Sequence, residues 1–323
     1  MQKVRVVKDK YRMLDGSYKR LVKRVGDGSI IRRFDNTPIP RKLTDVICPH
    51  FLELKWAYGC PFNCAWCYLK GTLRFLPKKT KPVIKNYNKV RLHLESFFNA
   101  TKNGYKEKEV LNTGEIADSL MYENNGKSFS KFIISIFDNQ SKHKVLFLTK
   151  SNYVNNILKI EHNGSLIMSF TLNAFPISRR WEKGAPSTIK RIRAARKLSE
   201  IDDVVRIRID PMVPVRDWRI FYKNLIDKIF SNFTPERITL GSLRGLQSTI
   251  NNCTDKTWVN FLDEKSNWGK KISFNIRYDM YSVIINYLKT QYQYKNVALC
   301  KETKAMWKML KMDYRKIKCN CVW

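Results

Sequence analysis

The chain has 323 residues, 43% hydrophobic and 12% aromatic, which suits one large α/β domain with small additions, or two modest domains, and excludes a disordered chain. No run of 18 apolar residues occurs and the start, Met1-Gln-Lys-Val-Arg-Val-Val-Lys8, has no signal-like character, so a cytoplasmic protein with no membrane association is expected. Sixty-one Lys and Arg against 28 Asp and Glu leave a net charge of +33, which points to a polyanionic partner, nucleic acid (DNA or RNA) before any other, with a plain bias toward Lys, Asn and Ile as the alternative.

Residues 1–45 read as a basic leader, with turn signals at Asp15-Gly16, Asp27-Gly28 and Pro38-Ile39-Pro40 and a β-like run from Ser29 to Phe34. From 46 to 250, β-rich apolar runs alternate with helical stretches. Strands are expected at Leu52–Tyr58, Glu109–Thr113, Val145–Thr149, Leu166–Leu172, Val204–Ile209 and Ile238–Leu240, and helices near 86–99, 127–139, 152–160, 187–200 and 218–231. Six strands separated by five helices predict an α/β fold with a parallel barrel or a partial one, because the chain is short for eight units. Residues 251–323 read as a C-terminal extension with helices near 278–290 and 302–310, and no repeat or low-complexity tract occurs. Glu115, Lys150, Asn173 and Asp210 follow successive strands, on the rim where a parallel barrel gathers ligand-binding side chains.

Cys60-Pro-Phe-Asn-Cys64-Ala-Trp-Cys67 lies just after the first of these strands. Three thiolates spaced C-x3-C-x2-C serve three irons of a four-iron four-sulfur (4Fe-4S) cluster and leave the fourth iron open to a chelating cofactor such as S-adenosylmethionine. A zinc site wants a fourth ligand or a second pair, and none stands nearby.

The motif resembles that of the radical S-adenosylmethionine superfamily. Tyr58-Gly-Cys-Pro-Phe-Asn-Cys-Ala-Trp-Cys-Tyr-Leu69, Phe147-Leu-Thr-Lys150, Phe170-Thr-Leu-Asn173 and Ala194-Ala-Arg-Lys197 look, in that order, like its spore photoproduct lyase branch over roughly residues 50–245. The resemblance implies a partial (β/α)6 TIM-type barrel, a cluster on Cys60, Cys64 and Cys67, and a 5′-deoxyadenosyl radical that abstracts hydrogen from the substrate. It further implies that Gly114 and Glu115 receive the methionyl ammonium, that Lys150 pairs with the cofactor carboxylate, and that Thr171 and Asn173 face the ribose. Tyr68, beside the cluster, is given a hydrogen-transfer or packing role, and the electron donor would be a flavodoxin or ferredoxin. One departure stands out: the lyase has a cysteine after its second strand that returns hydrogen to the repaired thymine, where this chain has Glu115, which speaks against the spore photoproduct as substrate.

Cys300, Cys319 and Cys321 crowd three thiols into the last 24 residues. They fit a second iron-sulfur cluster or a zinc ion, with Cys48 or Cys253 as fourth ligand, and also fit free thiols or labile disulfides. Basic residues recur beside aromatics at Arg32-Arg-Phe34, Arg179-Arg-Trp181 and Arg216-Asp-Trp218, and Arg208 with Asp210 suits an ion pair inside the barrel. The expected function is a radical enzyme acting on nucleic acid in repair or modification. A radical enzyme for a peptide or small metabolite, and a metal-stabilised nucleic-acid-binding protein without catalysis, fit the same residues.

Overall fold

The computed structural model describes residues 4–123, 128–201 and 203–323. Ten strands form one sheet, hydrogen-bonded in chain order: β1 (Val6–Arg12), β2 (Tyr18–Val25), β3 (Ile31–Phe34), β4 (Phe51–Leu54), β5 (Val110–Asn112), β6 (Lys144–Thr149), β7 (Leu166–Leu172), β8 (Val204–Met212), β9 (Arg237–Ser242) and β10 (Val297–Leu299). The first three are antiparallel, and β3 joins β4 antiparallel through Ile31 opposite Leu54 and Phe34 opposite Phe51. From β4 to β10 every pair is parallel.

A spatial order that follows the chain without reversal comes from crossovers that all wind the same way. The helices are α1 (Leu69–Thr72), α2 (Tyr87–Lys102), α3 (Phe129–Phe137), α4 (Phe175–Trp181), α5 (Thr188–Ser199), α6 (Trp218–Phe230), α7 (Gln247–Asn252), α8 (Phe274–Tyr292) and α9 (Lys304–Met309). β7 and β9 are buried at every position, as strands covered on both faces must be. Trp56 stacks on Phe129 of α3 with ring centroids 3.8 Å apart, and its indole N–H donates to the Thr113 carbonyl at 3.0 Å, tying the chain after β4 to the turn after β5.

Residues 6–34, expected as a basic leader, supply three strands of the same sheet, and β10, from the region expected as an extension, is its last parallel strand. The helix expected over 152–160 is replaced by a single 3-10 turn at Ile157–Lys159. Asn and Ser favour side-chain bonds to nearby backbone over helix, and here Ser151 caps the Tyr153 amide while Asn156 is drawn away to Glu123. The helix expected over 127–139 is observed as Phe129–Phe137, with the Ser128 hydroxyl capping Lys131 N; residue 127 lies outside the described residues.

Residues 319–322 dock against the sheet. The Asn320 amide donates to Ser169 Oγ at 2.8 Å and to the Ile207 carbonyl at 3.1 Å, and its oxygen accepts from the Thr239 hydroxyl at 2.7 Å, so one side chain spans β7, β8 and β9. Arg206 donates to the carbonyls of Asn320 and Val322, both at 2.8 Å, and fixes the tail that carries Cys319 and Cys321.

Candidate active site

Gly59 opens the cysteine loop with φ +83°, and a Cβ there would lie 2.3 Å from the Lys81 carbonyl oxygen, so only glycine makes this turn. Ala57–Tyr58 pairs with Val83–Ile84, Cys60 N donates to the Thr80 carbonyl at 2.9 Å, and Gly59 N donates to Ile116 O at 2.9 Å. These bonds close the loop at its base and attach it to the segment after β5. Cys64 is held from the other side, where Asn63–Cys64 pairs with Glu182–Lys183 and Ala65 N donates to Trp181 O at 2.8 Å. Cys67 completes a turn back to the Cys64 carbonyl and leads into α1.

Burial pushes all three thiols up, Cys64 to about 12 even with the Lys150 ammonium nearby, and Cys60 is further opposed by Asp118. Such thiols give up their protons to a cation seated among them rather than to water. Among the described residues no three His, Cys, Asp or Glu side chains are gathered closely enough to share one metal ion. Three thiols on one loop are a donor set in which each thiolate could take its own iron of a cluster.

The rim residues fall on neighbouring segments. Gly114 packs so closely on β6 that a Cβ would lie 2.5 Å from the Leu148 carbonyl oxygen, and its N–H donates to Asn112 Oδ1 at 2.9 Å. Glu115 is half-buried, makes no side-chain hydrogen bond or ion pair among the described residues, and its charge is felt at Tyr68, Glu53 and Arg208. Tyr68 is 37% exposed at the start of α1; desolvation of its hydroxyl and then Glu115 hold the phenol well above its ordinary range. Lys150 donates to Glu182 Oε1 at 2.7 Å, which aims its ammonium toward Cys64 and Cys67. Thr171 is buried in β7, its carbonyl accepting from Arg191 at 2.7 Å. Asn173 is spent on its own surroundings: Nδ2 donates to Pro211 O at 2.8 Å, while Oδ1 accepts from Ala174 N and the Tyr222 hydroxyl.

Deeper in the sheet the expected ion pair is present and is part of a larger cluster. Asp210 accepts from Arg208 Nε at 3.0 Å and from both terminal nitrogens of Arg244, at 2.9 and 3.0 Å. Burial opposes its charge, yet the two guanidiniums prevail and hold the carboxyl far below the usual range. Cys300 accepts from Arg208 at 2.8 Å, and Cys321 accepts from Asn112 Nδ2 at 3.8 Å. Cys300 and Cys321 both push the Cys48 thiol up, after burial, and Cys321 does the same to Cys300, while Cys319 lies two residues from Cys321, so the four cysteines fall in one region. Cys253 lies elsewhere, its thiol donating to Ile250 O at 3.3 Å. Cys48, Cys321 and Trp323 line a cavity of about 520 Å³.

Two carboxylates at the site were not expected from sequence. Asp118 accepts from Lys150 N at 2.7 Å, Thr149 Oγ1 at 2.7 Å and Leu120 N at 3.0 Å, and so fixes the end of β6. Glu182 joins Lys150 to Arg191 behind the Cys64 strand. No local pattern marks either residue, because their partners are distant in sequence.

An α/β sheet with seven successive parallel strands and a three-cysteine loop after the first of them defines a radical S-adenosylmethionine type of protein. The family model for spore photoproduct lyase matches residues 52–243, from β4 to just past β9, and the chain belongs to that family. It is 25% identical over 176 residues to the spore photoproduct lyase of Bacillus subtilis (strain 168), covering 54% of this chain and 50% of that one. It is 25% identical over 232 residues to the enzyme of Geobacillus sp. (strain Y412MC61), covering 66% and 64%. The chain thus spans about half to two thirds of the length of these curated relatives. Among solved structures, spore photoproduct lyase complexed with dinucleoside spore photoproduct superposes with TM-score 0.65 at 17% identity, over 77% of this chain and 75% of that one. A doubly substituted spore photoproduct lyase with bound AdoMet and dinucleoside spore photoproduct superposes with TM-score 0.63 at 17% identity, over 80% and 79%. Both likenesses establish the fold.

Proposed function

We propose that this protein is a radical S-adenosylmethionine lyase that acts on DNA, with Cys60, Cys64 and Cys67 as the protein ligands of a 4Fe-4S cluster. The observation that carries the reading is the three-thiol loop, closed at its base by Gly59 and Thr80 and set beside the rim residues of the parallel strands. The cluster, when bound, supplies the electron that cleaves S-adenosylmethionine and so starts hydrogen abstraction. The chain's own residues bind and orient. Glu115, with no side-chain partner among the described residues, suits an ammonium group; Lys150 has donors beyond the one given to Glu182 and suits a carboxylate. Thr171 borders the adenosyl side, and Asn173, whose amide is engaged with Pro211 and Tyr222, shapes that wall. Tyr68, next to Cys67 in the chain and within the field of Glu115, is the hydrogen-transfer candidate.

The consecutive parallel order of β4 to β10 supports a partial TIM-type barrel, built mainly from residues 46–250, with β10 from 251–323 as its last strand and the strands of 1–45 extending its first edge. A second metal site, a cluster or zinc, is proposed on Cys300, Cys319 and Cys321 with Cys48 as the fourth ligand; these cysteines fall in one region, and their side chains would have to close in to share a single ion. The net charge of +33 supports the nucleic-acid partner, and an external donor such as flavodoxin or ferredoxin would supply the electron. No helix among the described residues is long and apolar enough to cross a membrane, in line with a cytoplasmic role.

The test is anaerobic reconstitution with iron and sulfide, followed by reduction in the presence of S-adenosylmethionine. Formation of 5′-deoxyadenosine, lost on Glu115→Ala, together with DNA binding that weakens steeply with salt, is the expected result. A protein that takes up stoichiometric zinc and forms no deoxyadenosine contradicts the proposal.

A further inference from the structure

Phe75 is 82% exposed, more than any other large hydrophobic residue among those described. Its turn is rigid. Leu76 N donates to Leu73 O at 3.0 Å, Lys79 N to Leu76 O at 2.9 Å and Lys81 N to Lys78 O at 2.9 Å, with Lys79 held at φ +45°. The Arg74 guanidinium bonds the Gly71 carbonyl and lies 4.1 Å over the Phe75 ring, supporting it from one side. Underneath, α1 is seated on α7 so closely that a Cβ on Gly71 would lie 2.6 Å from Ser248 Oγ. Lys78, Lys79 and Lys81 are exposed on the same turn and make no ion pair among the described residues. The turn follows the C-terminal end of β4, and Tyr153 and Phe175, 47% and 38% exposed, follow the same ends of β6 and β7.

We infer that Phe75 is an apolar wedge that enters a base step of duplex DNA at this rim, while the three lysines hold the flanking phosphates. A preorganised aromatic ring surrounded by unneutralised ammonium groups is complementary to a stacked polyanion: it gains contact by parting two bases, and the phosphates meet the charge. Parting bases also answers a steric need, since a base inside a duplex cannot enter the mouth of the sheet while it remains stacked. The inference rests on the DNA reading above and adds the residue by which the duplex is opened.

The experiment uses the full reconstituted chain and a short DNA duplex with 2-aminopurine at its central steps. Binding of the wild type should raise 2-aminopurine fluorescence severalfold. Phe75→Ala should bind about tenfold more weakly and lose the rise, and Phe75→Trp should keep it. Replacing Lys78, Lys79 and Lys81 with alanine should flatten the slope of log affinity against log salt by roughly 0.9 per lysine removed, with the rise intact at saturation. Duplex binding without a rise, or a rise that survives Phe75→Ala, overturns the wedge and leaves the DNA reading standing. Absence of duplex binding overturns both, and loss of self-association as the only effect of Phe75→Ala overturns the wedge in favour of an interface between copies.

Discussion

Glu182 sits between two cations: its side chain is 0% exposed, with Lys150 Nζ at 2.7 Å and the fully buried Arg191 at 2.6 Å. Burial alone would raise its pKa, but the two cations outweigh it and bring the carboxyl from 4.5 to about 2. A depressed folded-state pKa means stability that is present above the unfolded value and lost as pH falls through the folded one. Glu182 should therefore stabilise the fold by about 3 kcal/mol at neutral pH and lose that contribution between about pH 4.5 and pH 2. Glu182→Gln, which leaves Arg191 buried without its counter-charge, should cost about 3 to 5 kcal/mol in urea unfolding at pH 7. The variant should also show a flatter dependence on acid than the wild type; equal stability of the two proteins at pH 7 would contradict the assignment. At this scale the sequence was legible wherever the chemistry is local. Cys60, Cys64 and Cys67 stand out as a candidate donor set because seven residues of spacing carry it, and Glu115 and Lys150 as candidates because each follows a strand; their roles belong to the proposal. Glu182 could not be found that way, since Lys150 is 32 residues away and the strand pairing with Cys64 joins two distant loops.

Among the elements, β7 matched its expected limits, Leu166–Leu172, because a strand buried at every position reads as an unbroken apolar run. The first strand was expected to run on to Tyr58, yet it stops at Leu54, where Lys55 N turns to the Ile30 carbonyl and Trp56 swings its indole to Thr113. The partner of a strand is a long-range fact, so the pairing of β3 with β4 and of β10 with β9 was out of reach of local pattern. So was the course of the last six residues, which carry no periodicity and bring Asn320 against β7 to β9 and Cys321 against β5. That tail is held chiefly by Asn320. Asn320→Ala would leave the Ser169 and Thr239 hydroxyls and the Ile207 carbonyl buried without this partner, at a cost of about 3 kcal/mol. Denaturant unfolding should show that loss, and a change below about 0.5 kcal/mol would mean that the tail is not docked as described.

The whole molecule places the cysteine loop at the start of a long parallel run, beside carboxylates such as Asp118 and Glu182, the latter paired with Lys150 and Arg191, in a chain whose net charge is strongly positive. Strand order, the closed base of the cysteine loop and the rim residues all converge on the mouth of the sheet, and the net charge of +33 gives a polyanion reason to approach it. Charge suggested the partner from composition alone, whereas the exposed ring of Phe75 became visible only once its surroundings were known. The central claim, that Cys60, Cys64 and Cys67 hold a 4Fe-4S cluster, is tested most directly by iron and sulfide analysis after anaerobic reconstitution, comparing the wild type with the variant in which all three become alanine. The account predicts that the variant loses about four irons and four sulfides per chain, any remainder belonging to the C-terminal cysteines. Equal iron and sulfide in the two proteins would contradict it.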